Sequence, residues 1–156
     1  MPESSPKVFI SSDHRGFTLR KELCTAFPEF IDLGSPSPDP NDDYNDAAIA
    51  VAKNVLKTPG SFGVLICGSA VGISIQANRF KGIRAAIVDS EETARLSRAH
   101  NNANIICLSA DKFSTPEKFS EVSSALRVFL KTPFSAEERH LRRVKKLDFD
   151  YNLEEN

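Results

Sequence analysis

Residues 63–74 read GVLICGSAVGIS: a run of small and β-branched residues stops at Cys67 and enters a turn punctuated by Gly68 and Gly72. Such a run, with no polar residue alternating into it, predicts a strand buried on both faces, as in parallel sheets. A glycine-containing turn that follows directly and opens a helix is the strand-to-helix junction of an α/β fold. Extending this reading along the chain finds four more such runs, VFIS (8–11), EFIDL (29–33), IRAAIV (83–88) and NIICLS (104–109), beside FGVLIC (62–67) itself. Five buried strands are expected. Between them RGFTLRKELCTAF (15–27), YNDAAIAVAKNVLK (44–57), ISIQANRF (73–80) and SEETARLSRAH (90–100) repeat their apolar residues at helical spacing, and two further helices are expected from Thr115 and Ser135. The alternation predicts a parallel sheet covered by helices on both faces.

Composition narrows the class. With 156 residues, 40% of them hydrophobic and 26% charged, and a net charge of −1, the chain is long enough for one real core. We read residues 1–156 as a single domain with its core at about 7–147 and a frayed acidic end, DFDYNLEEN, at 148–156. No apolar run approaches the roughly 20 residues of a membrane span, and MPESSPK offers no secretory core, so neither a span nor a signal is expected. Cys24, Cys67 and Cys107 are odd in number and widely spaced, without a Cys-x-x-Cys pair. That argues against a disulfide framework or a zinc knot and for a reducing compartment, the cytoplasm.

Ligands of open parallel sheets sit outside the carboxyl ends of the strands. The first strand ends in SSDHRG, the third in CGSAVG, and the fifth follows on RAHNNAN, so Asp13, His14, Cys67, His100 and Asn101 are expected at one sheet edge. Taken singly, Asp13 is equally well a helix cap, and either histidine an ordinary core or surface residue. The proline-rich loop GSPSPDPNDDYND (34–46) has the composition of a loop that carries a site.

CGSAVGISIQANR (67–79) fails several named motifs. It lacks the third glycine of a dinucleotide fingerprint and the lysine of a nucleotide-kinase loop. It also has Ile73 where a small cysteine phosphatase needs an arginine six residues after its cysteine. What remains is a thiol beside turn amides that favour an anion, an environment expected to draw the thiol pKa from about 8.5 toward neutrality and to hold an oxyanion. Cys24 and Cys107 read as small buried hydrophobes.

In ERHLRRVKK (138–146), Arg139 and Arg143 stand one helical turn apart and share a face with Lys146, while Leu141, Val144 and Leu147 form a separate apolar stripe. The near-neutral overall charge and the absence of interleaved aromatics disfavour nucleic acid. Two arginine forks converging on one compact phosphate fit better, against the plain alternative of a solvated helix face.

SSDHRGFTLRKEL, ICGSAVGISIQANRFKGIRAA, ARLSRAHNNANII and ERHLRRV, in that order from about Val8 to Val144, resemble the characteristic segments of type B ribose-5-phosphate isomerase, in the family that also holds bacterial galactose-6-phosphate isomerase. The resemblance implies a three-layer, Rossmann-like α/β/α sandwich with a five-stranded parallel sheet. It also implies a C-terminal helix extending to a dimer partner, and a homodimer, or a tetramer built from it, with shared interface sites. The implied reaction is the interconversion of ribose 5-phosphate and ribulose 5-phosphate through a cis-enediolate, in the non-oxidative pentose phosphate pathway. No metal, organic cofactor, membrane or nucleic acid is implied. Carried over residue by residue, Cys67 is the proton-transfer base, His100 the ring-opening acid or base, and Asp13 a catalytic and sugar-binding group. His14 binds sugar and phosphate, the turn Gly68, Ser69, Ala70, Val71 and Gly72 holds the enediolate oxygen with Ser74 nearby, and Tyr44 lines the rim. Asn101 contacts sugar, and Arg139 and Arg143 bind phosphate.

The chain departs from the family pattern in one place: Asp111 stands where many relatives have an arginine after the fifth strand, with Lys112 beside it. A carboxylate cannot hold a phosphate, so either Lys112 substitutes or Arg139 and Arg143 act alone. The stretch GISIQ carries no glutamate, which favours a cysteine-type site. Three function classes stand at this point: an aldose-phosphate isomerase for a five-carbon sugar, or for a six-carbon one such as allose or galactose 6-phosphate; a Cys67–His100 hydrolase; and a non-catalytic sugar-phosphate-binding module.

Overall fold

The computed structural model describes residues 5–152. Five strands, β1 (Val8–Ser12), β2 (Ile31–Asp32), β3 (Phe62–Cys67), β4 (Ala85–Ile87) and β5 (Ile105–Ser109), form one parallel sheet in the order β2-β1-β3-β5-β4. The helices are α1 (Phe17–Ala26), α2 (Tyr44–Lys57), α3 (Val71–Ala77), α4 (Glu91–Asn101), α5 (Ala110–Phe113), α6 (Pro116–Lys131) and α7 (Glu138–Leu147).

Strand pleating divides the core in two. Ile10, Val64, Ile66, Ile106 and Leu108 point to the layer of α1, α4 and α6, where Leu23, Ala94, Leu126 and Phe129 meet them. Phe9, Leu65, Cys67, Ile105 and Cys107 point the other way, against Val51, Ala52, Ile73 and Ala77 of α2 and α3. The predicted three-layer α/β/α arrangement is therefore the observed one.

Only three of the five expected strands are buried. The second and fourth shrink to short edge strands with Ile31 and Ile87 exposed, because the strand order leaves each with a single neighbour. Helix α6 starts where expected, with Thr115 as its N-cap and Pro116 in its first turn. Helix α7 starts at Glu138, three residues after the expected Ser135. Ala136 is left-handed, at φ 53°, and the Ser135 hydroxyl shares a 2.7 Å hydrogen bond with His140 Nδ1, so this segment turns into the helix instead of belonging to it.

Asp148, in the acidic end that follows α7, is gripped by Arg84, whose Nη1 lies 2.9 and 2.8 Å from its two carboxylate oxygens. Residues 153–156 of that end lie outside the described residues. Among the described residues no helix is long and apolar enough to cross a membrane.

Candidate active site

Parallel strands send their carboxyl ends to one edge of the sheet. Cys67 closes β3 there, in register with Ser109 of β5, and is buried. The next residue, Gly68, is held from two sides: its carbonyl accepts from Ser109 Oγ at 2.7 Å and from the Asp111 amide at 3.1 Å. The turn above the thiol is tight. Ser69 Oγ accepts from the Val71 amide at 3.2 Å, and Ala70 is left-handed at φ 66°, a conformation that costs an alanine about 1 kcal/mol. Ser74, from which a substrate contact was expected, is buried and spends its hydroxyl on the Val71 carbonyl at 2.8 Å.

Both glycines of the turn have a side chain from another segment close against them. A Cβ on Gly72 would lie 2.6 Å from Cζ of Tyr44, the exposed first residue of α2, so the tyrosine ring rests on the turn. A Cβ on Gly68 would lie 2.5 Å from Nη1 of Arg15, so that guanidinium rests on it from the other side.

The β1 end lies alongside. The Asp13 amide donates to the Ile66 carbonyl at 3.2 Å, tying the two strand ends together. Asp13 Oδ1 accepts from the amides of Arg15 and Gly16 at 3.0 and 3.1 Å, bracing the turn that leads to the Gly16 N-cap of α1. Burial pushes its carboxyl above the usual range, against the pull of those amides and of His14. His14 donates through Nδ1 to Asp42 Oδ1 at 2.7 Å, and its backbone amide reaches the same oxygen at 3.2 Å. Asp42 belongs to the proline-rich loop, which thereby closes over the end of β1. Its role had no local signal: a carboxylate 28 residues from its imidazole is one of several in that loop. Asp13, His14 and Asp42 bring one potential ligand atom each within 4.8 Å of one another.

His100 and Asn101 are elsewhere. They form the last residues of α4, not a turn, and α4 runs antiparallel to the sheet. They therefore stand at the amino end of β5, where the Gly63 amide donates to the Asn104 carbonyl. The expectation that they share an edge with Cys67 fails within one chain, because a helix leading into a parallel strand must finish at the edge where that strand begins. From Gly63 to Cys67 the separation is roughly 13 Å of strand.

Arg139 and Arg143 gather with His100. Helix α7 crosses the amino edge: His140 packs on His100, the Ser135 amide donates to the Ala99 carbonyl at 3.0 Å, and the Arg84 that holds Asp148 also donates to the Asn102 carbonyl at 2.8 Å. Both arginines are exposed, with Arg139 Nε 3.2 Å from Glu137 Oε2. Lys112, one of the two alternatives for a cation in place of Asp111, lies 3.4 Å from Asp89 Oδ2 and donates to the Asp89 carbonyl at 3.2 Å. The residues expected at one site thus fall into two groups. Asp13, His14, Tyr44, Cys67 and the glycine turn occupy the carboxyl edge, and His100, Asn101, Arg139 and Arg143 the amino edge.

This organisation places the protein among the open, doubly wound α/β/α sandwiches whose reactive groups stand on the loops at the sheet edges. Within that class the chain belongs to the ribose/galactose isomerase family, whose model matches residues 8–147. It is 43% identical over 145 residues to a probable ribose-5-phosphate isomerase B of Mycoplasma genitalium, covering 90% of this chain and 92% of that one. A crystal structure of ribose-5-phosphate isomerase B from the same organism, with bound ribulose 5-phosphate, is similar at a TM-score of 0.84 and 42% identity, over 94% of this chain and 96% of that one. The ribose 5-phosphate isomerase of Thermotoga maritima is similar at 0.83 and 37%, over 93% and 99%.

Proposed function

We propose that this chain is a type B ribose-5-phosphate isomerase, interconverting D-ribose 5-phosphate and D-ribulose 5-phosphate. The observation that carries this reading is the placement of Cys67 at the end of β3, beneath the Gly68–Gly72 turn and beside the tied end of β1. The Mycoplasma relative that holds ribulose 5-phosphate supports it. Cys67, as thiolate, removes the proton from C2 of the open-chain aldose and returns it to C1. Meanwhile the hydroxyl proton passes from O2 to O1 across a cis-enediolate. The turn from Gly68 to Gly72 holds the developing oxyanion, so that charge is stabilised where it forms and not in the ground state. Asp13 and His14 bind the sugar, with the Asp42 bond leaving His14 Nε2 to face the ligand, and Tyr44 closes the rim.

The remaining groups come from a second copy. His100 opens the furanose ring, Asn101 contacts the sugar and Arg139 and Arg143 hold the phosphate, but all four lie on the edge away from their own Cys67. A twofold dimer that lays the amino edge of one chain against the carboxyl edge of the other completes two equivalent sites. The catalytic unit is the single domain at about 7–147, working in the reducing cytoplasm, where its three free cysteines stay thiols.

A panel of aldose phosphates tests this: ribose 5-phosphate, allose 6-phosphate and galactose 6-phosphate, each followed for ketose formation and for uptake of solvent deuterium. Conversion and exchange on ribose 5-phosphate are expected. A burst with a covalent thioester would instead indicate a hydrolase, and binding without exchange would indicate a non-catalytic module.

A further inference from the structure

We propose that Arg15 is a phosphate-binding residue of the active site and that Asp111 positions it; the inference rests on the isomerase reading above. A carboxylate, Asp111, stands just after β5 in this chain. The structure shows what that carboxylate does. Asp111 pairs with Nη2 of Arg15, 96 residues away, and its backbone amide grips the Gly68 carbonyl. The Arg15 guanidinium is thereby laid over Gly68, the residue next to Cys67, in the space where a Cβ there would stand.

Charge and geometry point to an anion above the turn. Arg15 follows the end of β1 and Lys112 the end of β5, and Lys112 is turned away to Asp89. Arg15 remains, half exposed, with one nitrogen committed to Asp111 and the other donors of its planar fork free. It follows Asp13 and His14 directly in sequence, so it borders the imidazole assigned to the phosphate end of the sugar. A guanidinium already fixed by a carboxylate loses less rotamer freedom on gripping a phosphate than a free one would. The cation at this edge stands at the end of β1, and the acid at 111 orients it.

The test compares the intact protein with Arg15→Ala, Arg15→Lys, Asp111→Asn and the double variant Arg15→Ala/Asp111→Arg. It reads kcat and KM for ribose 5-phosphate, together with direct calorimetric titration by inorganic phosphate. Arg15→Ala should raise KM and the phosphate Kd about tenfold to a hundredfold, as for loss of a charge-assisted contact, with kcat changed less than about threefold. Arg15→Lys should recover part of the loss, Asp111→Asn should cost less than Arg15→Ala, and an arginine at 111 should restore binding in the Arg15→Ala background. Unchanged KM and phosphate Kd in Arg15→Ala would overturn the assignment, and so would a collapse of kcat at unchanged phosphate Kd. If Arg15→Ala does not fold, Arg15→Lys and the double variant decide by the same two numbers. A wild-type protein that fails to turn over ribose 5-phosphate would refute the isomerase reading, while phosphate titration would still decide the role of Arg15.

Discussion

His140 is buried against His100, the two ring centroids 4.3 Å apart and the planes inclined by 30°. Loss of water first, then the nearby His100 and Arg139, hold the His140 imidazole below its ordinary value of 6.5, with Glu137 pulling upward and Arg143 adding a lesser push downward. The unfolded chain therefore binds a proton at this position that the folded chain resists. Stability contributed by the neutral ring is complete above pH 6.5 and is lost as pH falls through the lower folded-state value. The urea midpoint should drop between pH 7.5 and 5.5, and drop less in His140→Gln. An identical drop in both proteins would move the acid sensitivity to another group.

Cys67→Ser should fold normally, bind ribose 5-phosphate and lose nearly all turnover, because a hydroxyl of similar size is a far poorer base than a thiolate. Cys107→Ser should behave in the opposite way. Burial, with Cys67 nearby, pushes the Cys107 thiol well above its ordinary range, and a hydroxyl in that apolar cluster costs about 1–3 kcal/mol. Thermal melts and steady-state rates on both variants separate the two roles. Turnover retained in Cys67→Ser would remove the proposed base.

Replacing Arg139 or Arg143 by alanine should weaken binding of ribose 5-phosphate by about 1.5–3 kcal/mol and leave binding of unphosphorylated ribose nearly unchanged. Calorimetric titration with each sugar reads the difference. Equal losses on the two sugars would assign the arginines to the fold or to the contact between chains.

Complementation tests the shared site. Cys67→Ala and His100→Ala, each nearly inactive, are unfolded and refolded together with differently tagged chains. If His100 of one chain serves Cys67 of the other, one site of each mixed dimer collects both lesions and the second is intact. Random pairing makes about half the dimers mixed, so activity should recover to about a quarter of wild type. Efficient mixing with no recovery would place both residues in one chain's site.

Local chemistry alone determined much of this molecule. The unbroken apolar runs at 8–11, 62–67 and 104–109 are buried strands, and the helical spacing between them marks five of the seven helices closely, because periodicity and burial are written within a few residues. The same local logic located Asp13, His14 and Cys67 at strand ends, and the turn that Gly68 and Gly72 punctuate. It failed where a property depends on distant segments. Strand order turned the second and fourth runs into short edges, and the direction of α4 carried His100 to the amino edge. The bonds His14–Asp42 and Arg15–Asp111 join residues 28 and 96 positions apart. A charged residue in a sequence has many possible partners, and only the crossovers of the folded sheet bring one of them within reach.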